Sequence, residues 1–132
     1  MGKRILVFIF IIVLILAGCG LETKTLSQFY ERDLDDVTKV VILDGSTGYK
    51  KTIKDKKVIN EFINEIKDIK FIPEANQEKR DGYRYAITLS ENGKKTFQFT
   101  PIEIDDHYYH TEPDIHPILD SFYENLEVKE GS

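Results

Sequence analysis

The first nineteen residues most restrict how the rest of this chain can fold. They open with the basic pair Lys3 and Arg4, and residues 5–17 (ILVFIFIIVLILA) then form an unbroken apolar run of 13 residues. A helix that spans a bilayer needs about 20 apolar residues, whereas the apolar core of an export signal has only about 7–15. The pattern therefore predicts an export signal, and the remaining chain is expected to fold outside the membrane.

The only cysteine of the chain, Cys19, directly follows this run. Residues 16–19 (LAGC) resemble the lipobox of bacterial lipoproteins. The resemblance implies that the thiol of Cys19 receives a diacylglyceryl group and that residues 1–18 are a cleaved signal peptide. The alternative interpretation is a plain secretory signal or an uncleaved anchor with an incidental cysteine. Because two acyl chains anchor a small domain stably, we expect a lipid-anchored protein at the outer face of the cytoplasmic membrane.

The chain from Cys19 onward has the length of one domain. Lipidation of Cys19 would leave no thiol, so this domain must fold without disulfides. Of the 18 Lys and Arg residues, Lys3 and Arg4 precede the cleavage site, so 16 remain against 23 Asp and Glu, a net charge of −7. Such an acidic chain lacks the basic face that nucleic acids require. We therefore expect no nucleic-acid partner, and a domain held off an anionic membrane surface.

The sequence divides into four regions. Residues 1–18 form the signal peptide, residues 19–36 the lipidated cysteine and a tether, residues 37–127 a single α+β domain, and residues 128–132 a tail. The tether begins polar, and its later apolar residues recur near helical spacing, which predicts one or two helical turns packed on the domain.

Within the domain, local patterns predict six main elements and one optional strand. They are strands at 37–43 and 49–53, a helix from the cap Asp55 to about Ile69, strands at 82–90 and 94–100, a short strand near 107–110, and a helix beginning at Asp114 or Ile115 with Asp114 as cap. The order β-β-α-β-β-(β)-α predicts an α+β fold. We expect one antiparallel sheet of four to five strands with two helices packed on one face, leaving the other face to solvent or a partner.

The hairpin near residue 92 can be placed by its register. A two-residue turn at 92–93 would put Phe97 and Phe99 on the wrong face of the sheet. A three-residue loop, 91–93, instead pairs Ile87 with Phe97 and keeps the phenylalanines on the apolar face. We therefore predict the three-residue loop.

Residues 105–116 concentrate side chains that bind metals. All three histidines of the chain, His107, His110 and His116, lie here with Asp105, Asp106, Glu112 and Asp114. No zinc signature is matched. A metal or small-ligand site is one interpretation, and a polar connection in which Asp114 caps the last helix is the other. We favour the connection, predict no metal and no cofactor, and keep the three histidines as the candidates.

Tyrosines and phenylalanines are the second candidate group. They are Tyr83, Tyr85, Tyr108, Tyr109, Phe97 and Phe99. Tyrosine is common at interfaces, but the alternation along 82–90 favours a core face carrying Tyr83, Tyr85, Ile87 and Leu89. Adjacent Tyr108 and Tyr109 point to opposite sides of a strand, so one of them is expected to be exposed. Since Gly-x-Ser-x-Gly, Ser-x-x-Lys with its supporting motifs and a cysteine nucleophile are all missing, we predict no catalytic residues.

The whole pattern resembles the small lipoproteins of Bacillus and its relatives, of the YhfM-like kind. The resemblance is carried by residues 16–19 (LAGC), 53–55 (IKD), 66–69 (IKDI), 82–85 (GYRY) and 117–123 (PILDSFY). It implies a Gram-positive membrane-anchored lipoprotein and no particular activity. We expect a non-enzymatic binding module for an envelope protein. The alternative is a metal- or small-ligand-binding lipoprotein that uses the segment from His107 to His116.

Overall fold

The structure is a computed structural model, and it describes residues 20–80 and 82–126. Over these ranges the chain forms β1 (Lys24–Thr25), α1 (Leu26–Phe29), a 3₁₀ turn (Leu34–Asp36), β2 (Lys39–Asp44), β3 (Lys50–Ile53), α2 (Lys56–Ile66), β4 (Lys70–Pro73), β5 (Tyr85–Glu91), β6 (Lys94–Phe99), β7 (Glu103–Ile104), β8 (His107–Glu112) and α3 (His116–Asn125). The predicted α+β class is confirmed. The predicted signal peptide, the lipidation of Cys19 and the tail at 128–132 lie outside the described residues. Among the helices that are described, none is long and apolar enough to cross a bilayer.

The strands form two antiparallel sheets of four strands each. Sheet I has the order β3-β2-β5-β6, and sheet II has the order β1-β4-β8-β7. The prediction of a single sheet with four to five strands is therefore wrong. Strands β1, β4 and β7 have two to four residues, and β4 ends in Pro73. Such short segments carry too little alternation to predict a strand, and a proline argues against one.

One hydrophobic core joins both sheets to the helices. The ring of Phe71 in sheet II meets the ring of Phe99 in sheet I edge-on, with 5.9 Å between their centroids. Phe62 of α2 meets Phe122 of α3 in the same way at 5.1 Å. The fully buried members include Leu26, Val40, Ile42, Ile59, Phe62, Ile66, Phe71, Ile87, Leu89, Ile115 and Leu119.

Helix α2 connects the outer edges of the two sheets. Two residues separate it from β3, and Asp55 caps it as predicted, because its Oδ1 accepts the N–H of Lys57 at 2.9 Å. At the other end the carbonyl of Lys67 accepts the N–H and the hydroxyl of Ser27, each at 3.1 Å. The helix therefore runs from the β3 edge to the junction of β1 and α1, over about 16 Å.

Residues 24–36, which the sequence assigned to the tether, contain β1, α1 and the 3₁₀ turn, and α1 is a helical turn of the kind that was expected to pack on the domain. Leu26 is fully buried and Tyr30 is 3% exposed. A capping box explains why α1 starts here: Thr25 Oγ1 accepts the N–H of Gln28, and the Gln28 side chain accepts the N–H of Thr25. Of the described residues, only 20–23 precede the first strand.

The β5–β6 hairpin reaches its register by a different route from the predicted one. Its turn has two residues, 92–93, with φ of 52° and 84°, so the predicted loop at 91–93 is wrong. A bulge in β6 leaves Thr96 without a cross-strand partner, and Leu89 therefore pairs with Phe97. The bulge supplies the one-residue shift that the longer loop was expected to supply. As a result, Phe97 and Phe99 lie on the same face of the sheet as Leu89.

Candidate functional site

The predicted histidine segment does not converge on one point. His107 and His110 lie three positions apart on β8, which places them on opposite faces of the strand. Asp105 and Asp106 form the β7–β8 turn, with φ of 50° and 66°; aspartate tolerates this left-handed backbone better than most residues. Across residues 20–80 and 82–126, no three His, Cys, Asp or Glu side chains lie close enough together to hold a metal ion.

His110 and His116 do share one cleft, of about 320 Å³, where β8 leads into α3. His110 Nδ1 lies 3.6 Å from Glu74 Oε1, and His116 Nδ1 lies 2.9 Å from Asp114 Oδ1. The same oxygen accepts the backbone N–H of His116 at 3.0 Å. These hydrogen bonds from the backbone and ring of His116 hold the pKa of Asp114 below its usual range. The last helix begins at His116 with Ile115 as its N-cap and no side-chain bond at the cap, so the predicted start and the predicted cap at Asp114 are wrong by one position. Asp114 nevertheless accepts the first N–H of the helix.

Both neighbouring tyrosines of β8 are buried, so the prediction that one is exposed is wrong. Tyr108 and Tyr109 are each 4% exposed. The segment after β4 covers the outer side of β8: Gln77 Oε1 accepts the N–H of Tyr108 at 2.8 Å, and the hydroxyl of Tyr108 accepts the N–H of Arg80 at 2.8 Å. The polar segment after β4 therefore shields Tyr108 from solvent.

A second cluster, at the end of sheet I that carries the β5–β6 turn, surrounds Glu91. Its carboxylate accepts hydrogen bonds from the Tyr30 hydroxyl and from Arg32, whose Nε and Nη2 lie at 3.0 and 3.2 Å. The Tyr30 hydroxyl also lies 2.6 Å from Thr96 Oγ1. The bonds from Arg32, followed by the one from Tyr30, lower the pKa of Glu91. Burial, and then the bond to Glu91, raises the pKa of Tyr30.

The carboxylate of Glu91 is already occupied by hydrogen-bond donors of the protein itself. It is 8% exposed and engaged by three donor groups. A cleft of about 480 Å³ opens beside it, between Phe29, Arg32 and Phe97. No local pattern pointed to this cluster, because its members come from the predicted tether, the end of one strand and the bulge of the next.

Four tyrosines lie at the opposite end of sheet I: Tyr85 begins β5, Tyr49 and Tyr83 lie just before β3 and β5, and Tyr123 belongs to α3. Together with Arg84 we call them the tyrosine end. Tyr49 is 52% exposed and Tyr83 is 42% exposed. Tyr85 is buried, its ring lies 5.6 Å from that of Tyr123, and its hydroxyl donates to the carboxylate of Asp120. Burial and this hydrogen bond raise the pKa of Tyr85.

Close contacts fix the backbone at the exposed Tyr49 and Tyr83. The N–H of Gly45 donates to the carbonyl of Arg84 at 2.8 Å. A Cβ at Gly45 would lie 2.2 Å from the carbonyl oxygen of Tyr83 and 2.9 Å from its ring, so only glycine allows this approach. On the other side, the hydroxyl of Tyr123 donates to the carbonyl of Tyr49 at 3.3 Å.

The charged side chains at or next to the tyrosine end form hydrogen bonds or contacts with neighbouring residues. Asp44 Oδ1 accepts the N–H and hydroxyl of Ser46 at 2.8 and 2.7 Å. Burial alone would raise the pKa of Asp44, but the bonds from Ser46 and the nearby Arg84 charge outweigh it, and the pKa lies below its usual value. Lys51 Nζ lies 4.1 Å from the centroid of the Tyr123 ring. Arg84 stays 53% exposed, with Nη2 at 3.8 Å from Asp120.

The rings of Tyr49 and Tyr83 and about half of the Arg84 side chain therefore remain accessible to a partner at this end. The sequence placed Tyr83 on the core face, but β5 begins only at Tyr85 and leaves Tyr83 outside the strand.

The chain matches no family model, no curated protein and no solved structure.

Proposed function

We propose that this protein is a lipid-anchored lipoprotein of the outer face of the cytoplasmic membrane and a non-enzymatic binding module for an envelope protein. The anchor rests on the basic pair Lys3 and Arg4, the apolar run at 5–17 and the lipobox-like residues 16–19. The resemblance to YhfM-like lipoproteins supports the same location.

The observation that carries the binding role is the tyrosine end. Tyrosine and arginine are enriched at the energetic centres of protein interfaces. Each exposed ring that a partner covers contributes roughly 25 cal/mol per Å² of apolar surface. Because Tyr83 lies on Gly45 and the backbone of Tyr49 is held by Tyr123, little conformational freedom is lost when a partner binds.

The outer face of sheet I extends this contact surface. Val41 and Leu43 alternate with the buried Val40 and Ile42 and therefore point away from the core. Both remain partly exposed. Since Leu43 directly precedes Asp44, this apolar strip leads to the tyrosine end.

Partner capture from intact cells, with the anchor present, tests the proposal. We expect a reproducible envelope protein to crosslink to the native chain and to be lost from the double variant Tyr49→Ala/Tyr83→Ala. The matched control, Lys94→Ala/Lys95→Ala, alters exposed residues at the opposite end of sheet I and should retain the partner. Cys19→Ser should release the protein from the membrane fraction. A native, anchored chain that captures no partner would contradict the binding role.

A small-ligand site is the second candidate function, and the cleft between His110 and His116 favours it. Its volume of about 320 Å³ lies at the lower end of small-molecule clefts. Two imidazoles with carboxylate partners offer both donors and acceptors to a polar ligand. His107 lies on the other face of β8 and has no part in it. If zinc, copper, calcium and a panel of small polar ligands do not raise the melting temperature, this candidate function is excluded.

A further inference from the structure

We infer that the domain turns its face around β1 toward the lipid headgroups, so that the tyrosine end points away from the bilayer. This inference rests on the proposed lipid anchor at Cys19. It follows from how little chain separates that cysteine from the folded domain and from where that chain joins it.

The linker is shorter than the domain is wide. Residues 20–23 alone lie between Cys19 and β1. An extended chain advances at most about 3.3–3.6 Å per residue, which keeps the Cα of Lys24 within about 17 Å of Cys19. A folded chain of about 100 residues has a radius of gyration near 13 Å and hence a width of about 30 Å or more. Such a linker cannot turn the far side of the domain toward the membrane.

The junction itself is fixed, so the linker does not lengthen by unwinding. Lys24 and Thr25 pair with Phe71 and Lys70 of β4. The next residue, Leu26, is fully buried in the core. Peeling this segment away would expose Leu26 and break the bonds between Ser27 and Lys67.

The charges around the junction suit this placement. The linker, β1, the end of α2 and the Lys70–Glu112 pair next to β1 carry three lysines and three carboxylates: Lys24, Lys67, Lys70, Glu22, Asp68 and Glu112. These six charges sum to zero, whereas the chain from Cys19 onward carries −7. An anionic surface repels the rest of the domain more strongly than this face. Leu21, 38% exposed on the linker, adds an apolar contact.

The tyrosine end lies far from the junction along the molecule. Tyr30, directly after α1, binds Glu91 at the end of β5 next to the β5–β6 turn. Tyr85 begins the same seven-residue strand, about 20 Å away at roughly 3.3 Å per residue. An anchor at the junction therefore presents the tyrosine end to the envelope, where a partner can reach it.

Energy transfer from a labelled protein to headgroup-labelled lipid tests the orientation. The full lipidated chain is reconstituted into vesicles of equal parts phosphatidylcholine and phosphatidylglycerol. Since the lipid occupies the thiol of Cys19, a single introduced cysteine can be labelled selectively. Lys70→Cys and Lys50→Cys form a matched pair, because each replaces an exposed lysine at the first position of a four-residue strand. We expect several-fold greater transfer from position 70 than from position 50.

A linker variant completes the test. A long Gly-Ser insertion after Gly20 should reduce the difference between the two positions, because the domain can then rotate freely. Equal transfer from both positions with the native linker, in protein that floats with the vesicles, would overturn the inference alone. Protein that carries no lipid and does not float would instead overturn the proposed anchor, and the inference with it.

Discussion

The hydroxyl of Tyr30 joins the segment before β2 to both strands of the β5–β6 hairpin, 61 and 66 residues further along the chain. It donates to Glu91 at the end of β5 and lies 2.6 Å from Thr96 Oγ1 in the bulge of β6. Its ring packs edge-on against Phe97, with 5.9 Å between centroids. The bulge and the buried segment before β2 therefore stabilise each other through one side chain.

Tyr30→Phe tests this connection at the scale of one atom. The ring is kept, but Glu91 and Thr96 lose a buried partner, so we expect the free energy of unfolding to fall by about 1–3 kcal/mol. Urea denaturation measures the change. The control is Tyr49→Phe, which removes the hydroxyl of an exposed ring and should change the free energy by less than about 0.5 kcal/mol. Equal effects from the two variants would contradict the role of Tyr30.

The lowered pKa values of Glu91 and Asp44 predict a loss of stability in acid. The ordinary pKa values are 4.5 for the glutamate and 3.8 for the aspartate, and the folded state lies below both. Each carboxylate therefore contributes its full stabilisation above these ordinary values and loses it as the pH falls through the lower folded-state values.

Denaturation midpoints measured from pH 7 downward check this dependence. Glu91→Gln should unfold more easily at pH 7, because the charged bonds from Arg32 and Tyr30 weaken, and should lose less stability than the native chain in acid. A native protein whose midpoint stays constant down to pH 3, where about nine in ten ordinary aspartates and glutamates are protonated, would refute the prediction.

At the scale of elements, the segment from β1 to the 3₁₀ turn belongs to the domain, and Leu26→Ala tests that. Removing a fully buried leucine side chain should lower the free energy of unfolding by about 2–5 kcal/mol. A tether residue would show almost no effect. Leu21→Ala provides the comparison, because Leu21 is 38% exposed on the linker and its loss should cost under about 0.5 kcal/mol. Thermal unfolding monitored by circular dichroism suffices for both.

The elements that the sequence predicted are those with strong local signals. The cap at Asp55, the apolar face of α2, the β-branched apolar run of β2 and the alternation of β5 all depend on neighbours within a few residues. The bulge at Thr96 was missed because it is stabilised by Tyr30, which lies 66 residues away. Likewise β4 becomes a strand only because β1 and β8 pair with its two edges.

The candidate site was predictable only in part for the same reason. Composition pointed to tyrosines as contact residues, but not to which ones. Tyr83 continues the alternation of β5, yet the close approach of Gly45 to its backbone places it outside the strand and leaves it exposed. Tyr108 and Tyr109 look alternately exposed in sequence, and both are buried because residues 74–80 cover the strand.

At the scale of the whole molecule, two sheets share one core and should unfold together. Phe71 of sheet II packs at 5.9 Å against Phe99 of sheet I and against Phe29 of α1. Neither sheet can separate without exposing this ring, and α2 joins their outer edges. Small single domains with such a core usually unfold in one cooperative transition.

Native-state hydrogen exchange with Phe71→Leu tests this cooperativity. The substitution leaves a small void between the sheets, so the free energy of unfolding should fall by about 1 kcal/mol or more. Because both sheets depend on the same contact, the slowest amides of β2 and β5 should lose protection by the same factor as those of β8. Each 1.4 kcal/mol corresponds to about a tenfold change. If the amides of sheet II lose protection while those of sheet I do not, the sheets are separate folding units joined only by packing.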